Sequence, residues 1–417
     1  MPENYTIDMP EAVRNIIHTI EEHGFKAYAV GGCIRDSILG RNPDDWDITT
    51  SAVPAQIKTF FKRTIDTGIV HGTVTVMVNK TGYEVTTYRI DGEYEDGRHP
   101  KSVEFSDRLV DDLCRRDFTI NAMAYNDTDG FVDEFNCLDD LDAKIIRCVG
   151  EPELRFTEDA LRMMRAIRFS AQLGFTIDEA TWNAIKKLAP SISKISMERV
   201  HVELGKTLMS AHPDYVAEYS EAGLFAPILP VIDNALKSRY KRKILATLQH
   251  TPDNIYLRYA ALFITSTPDE AAKTLRALKL DNKTVDTVSK LVELSKMDIE
   301  ETEPAVRTAL NKYGRDFLPL WHELMMAVIQ ASEDITGISN PAKVKHLLTL
   351  KRLATDILAR GDCFTIKDLD ISGNDLIEYG LQGHEIGETL KSLLDIVIEN
   401  PKLNDKTTLI AMIEHIK

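Results

Sequence analysis

The residue pattern changes character at Gly150, and that change limits the folds open to the chain. Before it, short apolar or β-branched runs alternate with helix-periodic stretches: helix over 11–23, strand over 27–30, helix over 33–39, strand over 46–49, helix over 55–62, then strands over 73–78 and 83–90. After it glycine thins and a helical period runs to the C-terminus, broken at Gly174, Pro190, His212-Pro213, Pro227 to Pro230, Thr251-Pro252 and Pro268. The pattern predicts a small α/β domain followed by an all-α region. With 417 residues, 43% of them hydrophobic, the chain can supply cores for two to four packed units. It has no apolar run near eighteen residues and an acidic N-terminal stretch, so a cytoplasmic protein with no membrane partner is expected. Five cysteines, an odd count without Cys-x-x-Cys spacing, predict reduced packing thiols rather than zinc sites or a disulfide frame.

Chemistry concentrates in the α/β part. Asp45 and Asp47 flank Trp46 at i and i+2, so on an extended segment both carboxylates face one side, where they can hold a pair of hard cations. Fourteen residues earlier, Gly31-Gly32 ends an apolar run and opens a helix, so backbone amides and a helix N-terminus meet in a phosphate cradle, with Arg35 in its first turn as a further grip on a triphosphate. Glu84, on a strand able to lie beside the Asp pair, is a third carboxylate, either completing a two-metal site or taking the proton from an attacking hydroxyl. In Arg115 to Ala124, Arg116 can neutralise triphosphate charge, while Asp117 and Asn121 offer an acceptor and an amide to a ribose or to neighbouring side chains. The segment Asp91 to Phe105 is charged and Gly-bearing, which predicts a mobile loop.

A second cluster follows at Glu158 to Arg168, where Asp159, Arg162, Arg165 and Arg168 stand three residues apart. On one helix each step slips back by about 60°, so the four line one broad face, leaving Leu161 and Met164 for the core. Cytosine and adenine each present an amino donor beside a ring-nitrogen acceptor. Asp159 can accept from the first and Arg162 donate to the second. Guanine and uracil reverse that order and leave unpaired buried polar groups. Arg165 and Arg168 would hold phosphates or shape the pocket.

These motifs, in this order, resemble the nucleotidyltransferase superfamily that includes DNA polymerase β, and more narrowly the bacterial class II tRNA nucleotidyltransferases, the CCA-adding enzymes. Gly31-Gly32, Arg35-Asp36, Asp45-x-Asp47, Arg115-Arg116-Asp117-Phe118-Thr119-Ile120-Asn121-Ala122 and the 158–168 stretch carry the resemblance, which covers about the first 200 residues and thins beyond Ser196 to Val200. It implies a polymerase β-like head with a mixed sheet over 1–150, a helical neck for nucleotide selection over 151–210, a degenerate HD-like body over 211–300 and a tRNA-binding tail over 301–417. It implies template-independent addition of CCA to the tRNA acceptor arm from CTP and ATP, with magnesium at Asp45 and Asp47. Asp91, Tyr94, Asp96, Arg98 and Pro100 match the intact loop form, which disfavours CC-only addition. Where some relatives carry a His-Asp metal pair this chain has Ile264 and Thr265, so no accessory phosphohydrolase activity is expected. An A-adding enzyme or a poly(A) polymerase shares this head chemistry. An inactive RNA-binding scaffold is disfavoured, because such a protein has no need of clustered, mutually repelling carboxylates.

A net charge of −15 cautions against nucleic-acid binding, so local clustering has to decide it. The two densest basic stretches, Lys237 to Lys243 and Lys343 to Arg352, each read alone as a solvated helix face, and an RNA role would engage both. Oligomeric state stays open, a homodimer among the options.

Overall fold

The computed structural model describes residues 6–92 and 103–416, with the side chains of 91 and 414–416 excluded. Tyr94, Asp96, Arg98 and Pro100 lie outside the described residues. The chain forms two compact units, Met1–Pro230 and Val231–Lys417.

In the first unit the opening elements are α1 (Glu11–Glu22), β1 (Ala27–Val30), α2 (Gly32–Ile38), β2 (Ile48–Thr50), α3 (Pro54–Phe60), β3 (Thr64–Gly68), β4 (Thr73–Val78) and β5 (Thr81–Thr87). A hairpin of β6 (Arg89–Asp91) and β7 (Val103–Phe105), helix α4 (Leu109–Cys114), strands β8 (Met123–Asn126) and β9 (Gly130–Asp133) and helix α5 (Cys137–Asp142) follow. Seven strands form one mixed sheet in the order β3-β4-β5-β2-β1-β8-β9, as the fold class requires, with β2 and β5 parallel and the other neighbours antiparallel. All three β2 residues are buried, the signature of a central strand covered on both faces. Helix α1 covers the sheet with Val13, Ile16, Ile17 and Ile20, the i, i+3, i+4, i+7 stripe of an amphipathic helix. Strands β3, β8 and β9 were not foreseen. In β3 the burial alternation is absent, since Ile65 is exposed while its neighbours are polar.

The rest of the first unit is mostly helical: α6 (Pro152–Glu158), α7 (Leu161–Leu173), α8 (Glu179–Leu188), α9 (Met197–Leu208) and α10 (Val216–Glu221). A short parallel pair, β10 (Ile145–Ile146) with β11 (Thr176–Ile177), runs across residue 150, so β structure continues past the expected boundary.

Among the described residues the second unit is built from helices α11 (Pro230–Lys237), α12 (Lys241–His250), α13 (Ile255–Leu262), α14 (Pro268–Ala277), α15 (Asn282–Leu294), α16 (Glu303–Tyr313), α17 (Phe317–Thr336), α18 (Pro341–Arg360), α19 (Gly373–Glu378), α20 (His384–Glu399) and α21 (Lys406–Ile416). Ile264 and Thr265 lie in the turn after α13 rather than on the helix. Arg307, 2% exposed, braces this unit by donating from Nε to the Ile398 carbonyl at 2.6 Å and pairing with Asp362 at 3.0 Å. No helix among the described residues is long and apolar enough to cross a membrane. All five cysteines are free; four are buried as expected, whereas Cys114 is exposed at the end of α4.

Candidate active site

Asp45, Trp46 and Asp47 precede β2, which begins at Ile48 rather than at Trp46. The backbone is already in the ladder there, since the Asp47 carbonyl accepts from the Val30 amide at 3.0 Å. Trp46 is 8% exposed and turned inward, while Asp45 and Asp47 face out. The parallel register of β2 with β5, Ile48 opposite Val85, carries on to set Glu84 beside Asp47. Solvent reaches Asp47 through the mouth of a cleft, but protein crowds it on its other sides, and that crowding governs its titration. Desolvation raises the Asp47 pKa, Arg116 pulls it down and Asp45 pushes it up. Glu84 is raised by desolvation and then by Asp47 and Asp45. Like charge thus adds to desolvation at both Asp47 and Glu84, which is the arrangement a polyvalent cation relieves.

A cavity of about 240 Å³ is lined by Asp47 and Glu84 together with Arg89, Arg115 and Arg116. Asp112, fully buried and unflagged by the sequence reading, holds two of those arginines. It accepts from Arg115 Nη2 at 2.6 Å and lies 3.4 Å from Arg116 Nη2, and Thr49 Oγ1 donates to it at 3.1 Å. Burial opposes its ionisation, but Arg115 and Arg116 win and its pKa is lowered. The signal was present as i, i+3 and i, i+4 spacing from Asp112 to Arg115 and Arg116. Arg116 keeps a buried Nε with no hydrogen-bond partner.

The glycine pair behaves in part as read. Gly31 sits at φ +86°, ψ −131°, and a Cβ there would come within 2.7 Å of Arg116 Nη1. Its amide, however, donates to the Met123 carbonyl at 3.0 Å, so the cradle amides are those of residues 32–34, which precede the first helical bond from Arg35 N to Gly31 O. Arg35 is 8% exposed and does not line the cavity. It pairs with Asp36 at 2.8 Å, donates to Asn121 Oδ1 and lies over the Phe169 ring at 5.2 Å, so its contacts are those of a brace rather than a phosphate grip.

The single-helix face expected for Asp159 to Arg168 does not form. Asp159 sits in an extended break (φ −145°, ψ 106°) between α6 and α7. Its carboxylate caps the Leu161 amide at 3.0 Å, and that competing bond ends the helical run. Arg199 of α9, which the sequence reading passed over, grips the Asp159 carboxylate at 2.6 and 3.2 Å. Arg162 pairs with Glu158 and donates to the Arg115 carbonyl at 3.2 Å. Arg165 meets Asp117 at 2.6 Å, and Arg168 pairs with Glu203 at 2.5 Å while lying 3.8 Å from the Phe169 ring centroid. Asn121 Nδ2 donates to Asp117 at 3.2 Å, so a continuous polar chain runs Asp36–Arg35–Asn121–Asp117–Arg165. Burial acts against ionised Asp117, yet Arg165, Asn121 and Arg162 bring its pKa down to about 2.

No three His, Cys, Asp or Glu side chains among the described residues form a ready metal cage. The carboxylates that could hold divalent ions are the outward-facing Asp45 and Asp47, with Glu84 as a charge neighbour.

A mixed sheet delivering paired carboxylates beside a positive-φ glycine turn, with arginines opposite and helices continuing behind, defines a nucleotidyltransferase with a polymerase β-like head. The profile described as "Poly A polymerase head domain" matches 27–147, "Probable RNA and SrmB- binding site of polymerase A" matches 174–236, and "tRNA nucleotidyltransferase domain 2" matches 254–413. The chain belongs to the CCA-adding enzyme family of tRNA nucleotidyltransferases: it is 37% identical to the CCA-adding enzyme of Limosilactobacillus fermentum over 96% of this chain and 95% of that one. A 203-residue match to the CCA-adding enzyme of Lactiplantibacillus plantarum is 52% identical and spans about half of each chain, 49% and 50%. The crystal structure of the Bacillus stearothermophilus CCA-adding enzyme in complex with CTP superposes with a TM-score of 0.76 at 32% identity, covering 97% of this chain and 96% of that one. The family's nucleotidyltransferase fold uses divalent metal ions.

Proposed function

We infer that this chain adds C, C and A to the 3′ end of tRNA without a nucleic-acid template, using CTP and ATP and releasing pyrophosphate. The observation carrying this reading is one cavity lined both by Asp47 and Glu84, raised by desolvation and by neighbouring carboxylates, and by Arg89, Arg115 and Arg116. Asp45 and Asp47 would hold two magnesium ions, which when bound polarise the α-phosphate and make the terminal 3′-hydroxyl more acidic. Glu84, its pKa raised, is suited to take that hydroxyl's proton at a carboxylate oxygen. Arg116 and the amides of 32–34 receive the triphosphate. Behind them Arg35, Asn121 and Asp117 fix the glycine turn against α7.

Asp159, now held by Arg199, and Arg162, now held by Glu158, would have to exchange part of those bonds for the pairing edge of the base, where an acceptor and a donor favour cytosine and adenine. The division into neck, body and tail is retained as the functional division of the helical region, with tRNA on the helical units. Transfer of labelled CTP and ATP onto three transcripts tests the reading: one ending at the discriminator base, one ending in CC and one with the full CCA. Extension of the first to CCA supports it; ATP addition confined to the CC-ended transcript would make this an A-adding enzyme. Asp45→Ala should abolish transfer while leaving tRNA retention in a filter assay nearly unchanged.

A further inference from the structure

The second unit holds a cavity that plays no part in the chemistry above. It is about 540 Å³, within the range of sites that take small organic molecules. Its floor is aliphatic and sulfur-bearing, with Met325, Val328 and Ile329 from α17 and Leu347 from α18, backed by Trp321. Its lips are Met297, 43% exposed, and Ile338, 71% exposed, apolar surface that remains in water while the cavity stands open. Each basic stretch contributes one lysine to the lining, Lys243 of α12 and Lys343 of α18. Neither lysine has an ion-pair partner among the described residues. His346, also on the rim, is already engaged, with Nδ1 2.9 Å from Glu301 and Nε2 3.8 Å from Asp298. Asp298 is the one carboxylate residue in the lining, so the cavity carries two lysines against one acid on a mostly apolar surface.

We propose that this cavity binds a small amphiphilic monoanion, an aliphatic chain seated on the floor with its carboxylate between Lys243 and Lys343. Aliphatic chain burial supplies the affinity, and the lysines select the charge of the head group. A nucleobase is the poorer occupant. It needs partners for its polar edge, which the floor lacks, and a ring to stack on, whereas Trp321 is 3% exposed and donates its Nε1 to the Leu294 carbonyl at 3.1 Å.

Calorimetric titration of dodecanoate into the full chain tests the proposal, with dodecylamine, phosphatidylglycerol vesicles and a tRNA transcript in parallel. Saturable binding of one dodecanoate per chain, with dodecylamine weaker by about tenfold or more, supports it. The Lys243→Gln/Lys343→Gln variant should weaken dodecanoate about tenfold. Val328→Phe should abolish binding with circular dichroism unchanged; should that variant misfold, Ser332→Phe on the exposed rim blocks the same space. No dodecanoate binding, equal affinity for the amine, indifference to loss of both lysines, or binding to vesicles or tRNA alone would each overturn it.

Discussion

At the scale of single residues, Asp47 and Glu84 trade stability against chemistry. Both are raised carboxylates, so the folded chain binds their protons more tightly than the unfolded chain does. Their ionisation weakens the fold, and stability from this source rises as pH falls through the raised values. Asp47→Asn should therefore abolish transfer yet melt no lower than the parent in chelator, as differential scanning calorimetry would read; a clear drop in melting temperature would show that the carboxylate supports the fold. Protonation also removes their capacity to hold cations, so kcat/KM should fall on the acid side, and more magnesium should move that limb to lower pH. Glu84→Gln removes one repelling charge and should move that limb to lower pH for whatever activity remains. Asp117 has the opposite sign: its contribution to stability is present above the unfolded value of about 4 and is lost as pH falls through about 2. Residue type and spacing single out Asp45, Asp47 and Glu84 in the sequence, and the fold brings Asp47 and Glu84 to one cavity. Asp112 was missed as the holder of Arg115 and Arg116, although its spacing to both was visible; full burial of a carboxylate is a property that only packing confers.

At the scale of elements, the turn from β1 into α2 is the most constrained piece of backbone. Gly31→Ala has to place a Cβ 2.7 Å from Arg116 Nη1 at φ +86°, so it should cost about 1–3 kcal/mol and raise KM for the triphosphate more than it lowers kcat. Steady-state kinetics with CTP checks this, and an unchanged KM would separate the turn from nucleotide binding. The α6–α7 break shows where periodicity misleads. Spacing by threes predicted one arginine face, but Asp159 caps α7 instead of continuing α6, and the four side chains then diverge to Arg199, Glu158, Asp117 and Glu203. A period cannot register that break, because it depends on a side chain competing for a backbone amide. Arg199→Met should accordingly blur the choice of CTP and ATP over UTP and GTP more than it slows correct addition. Misincorporation ratios read this, and undiminished selectivity would leave Arg199 a purely structural partner of Asp159.

For the molecule as a whole, the residues assigned to chemistry and base choice all fall within Met1–Pro230. A chain of those residues alone should fold and show a CTP-dependent rise in melting temperature, of order 2.7 kcal/mol in stability at a hundredfold excess over Kd. An absent shift would mean that the second unit contributes to the nucleotide site. The sequence by itself determined the α/β start, the helical continuation and the residue types of the candidate carboxylate cluster, because periodicity, glycine placement and paired carboxylates are local properties written in neighbouring positions. Tertiary structure alone decided the order of the seven strands, the pairing of Arg199 with Asp159, the inward turn of Arg35 and the meeting of Lys243 with Lys343 on one cavity. Each of those joins residues tens of positions apart, and which partner wins is settled by burial and charge once the chain is packed.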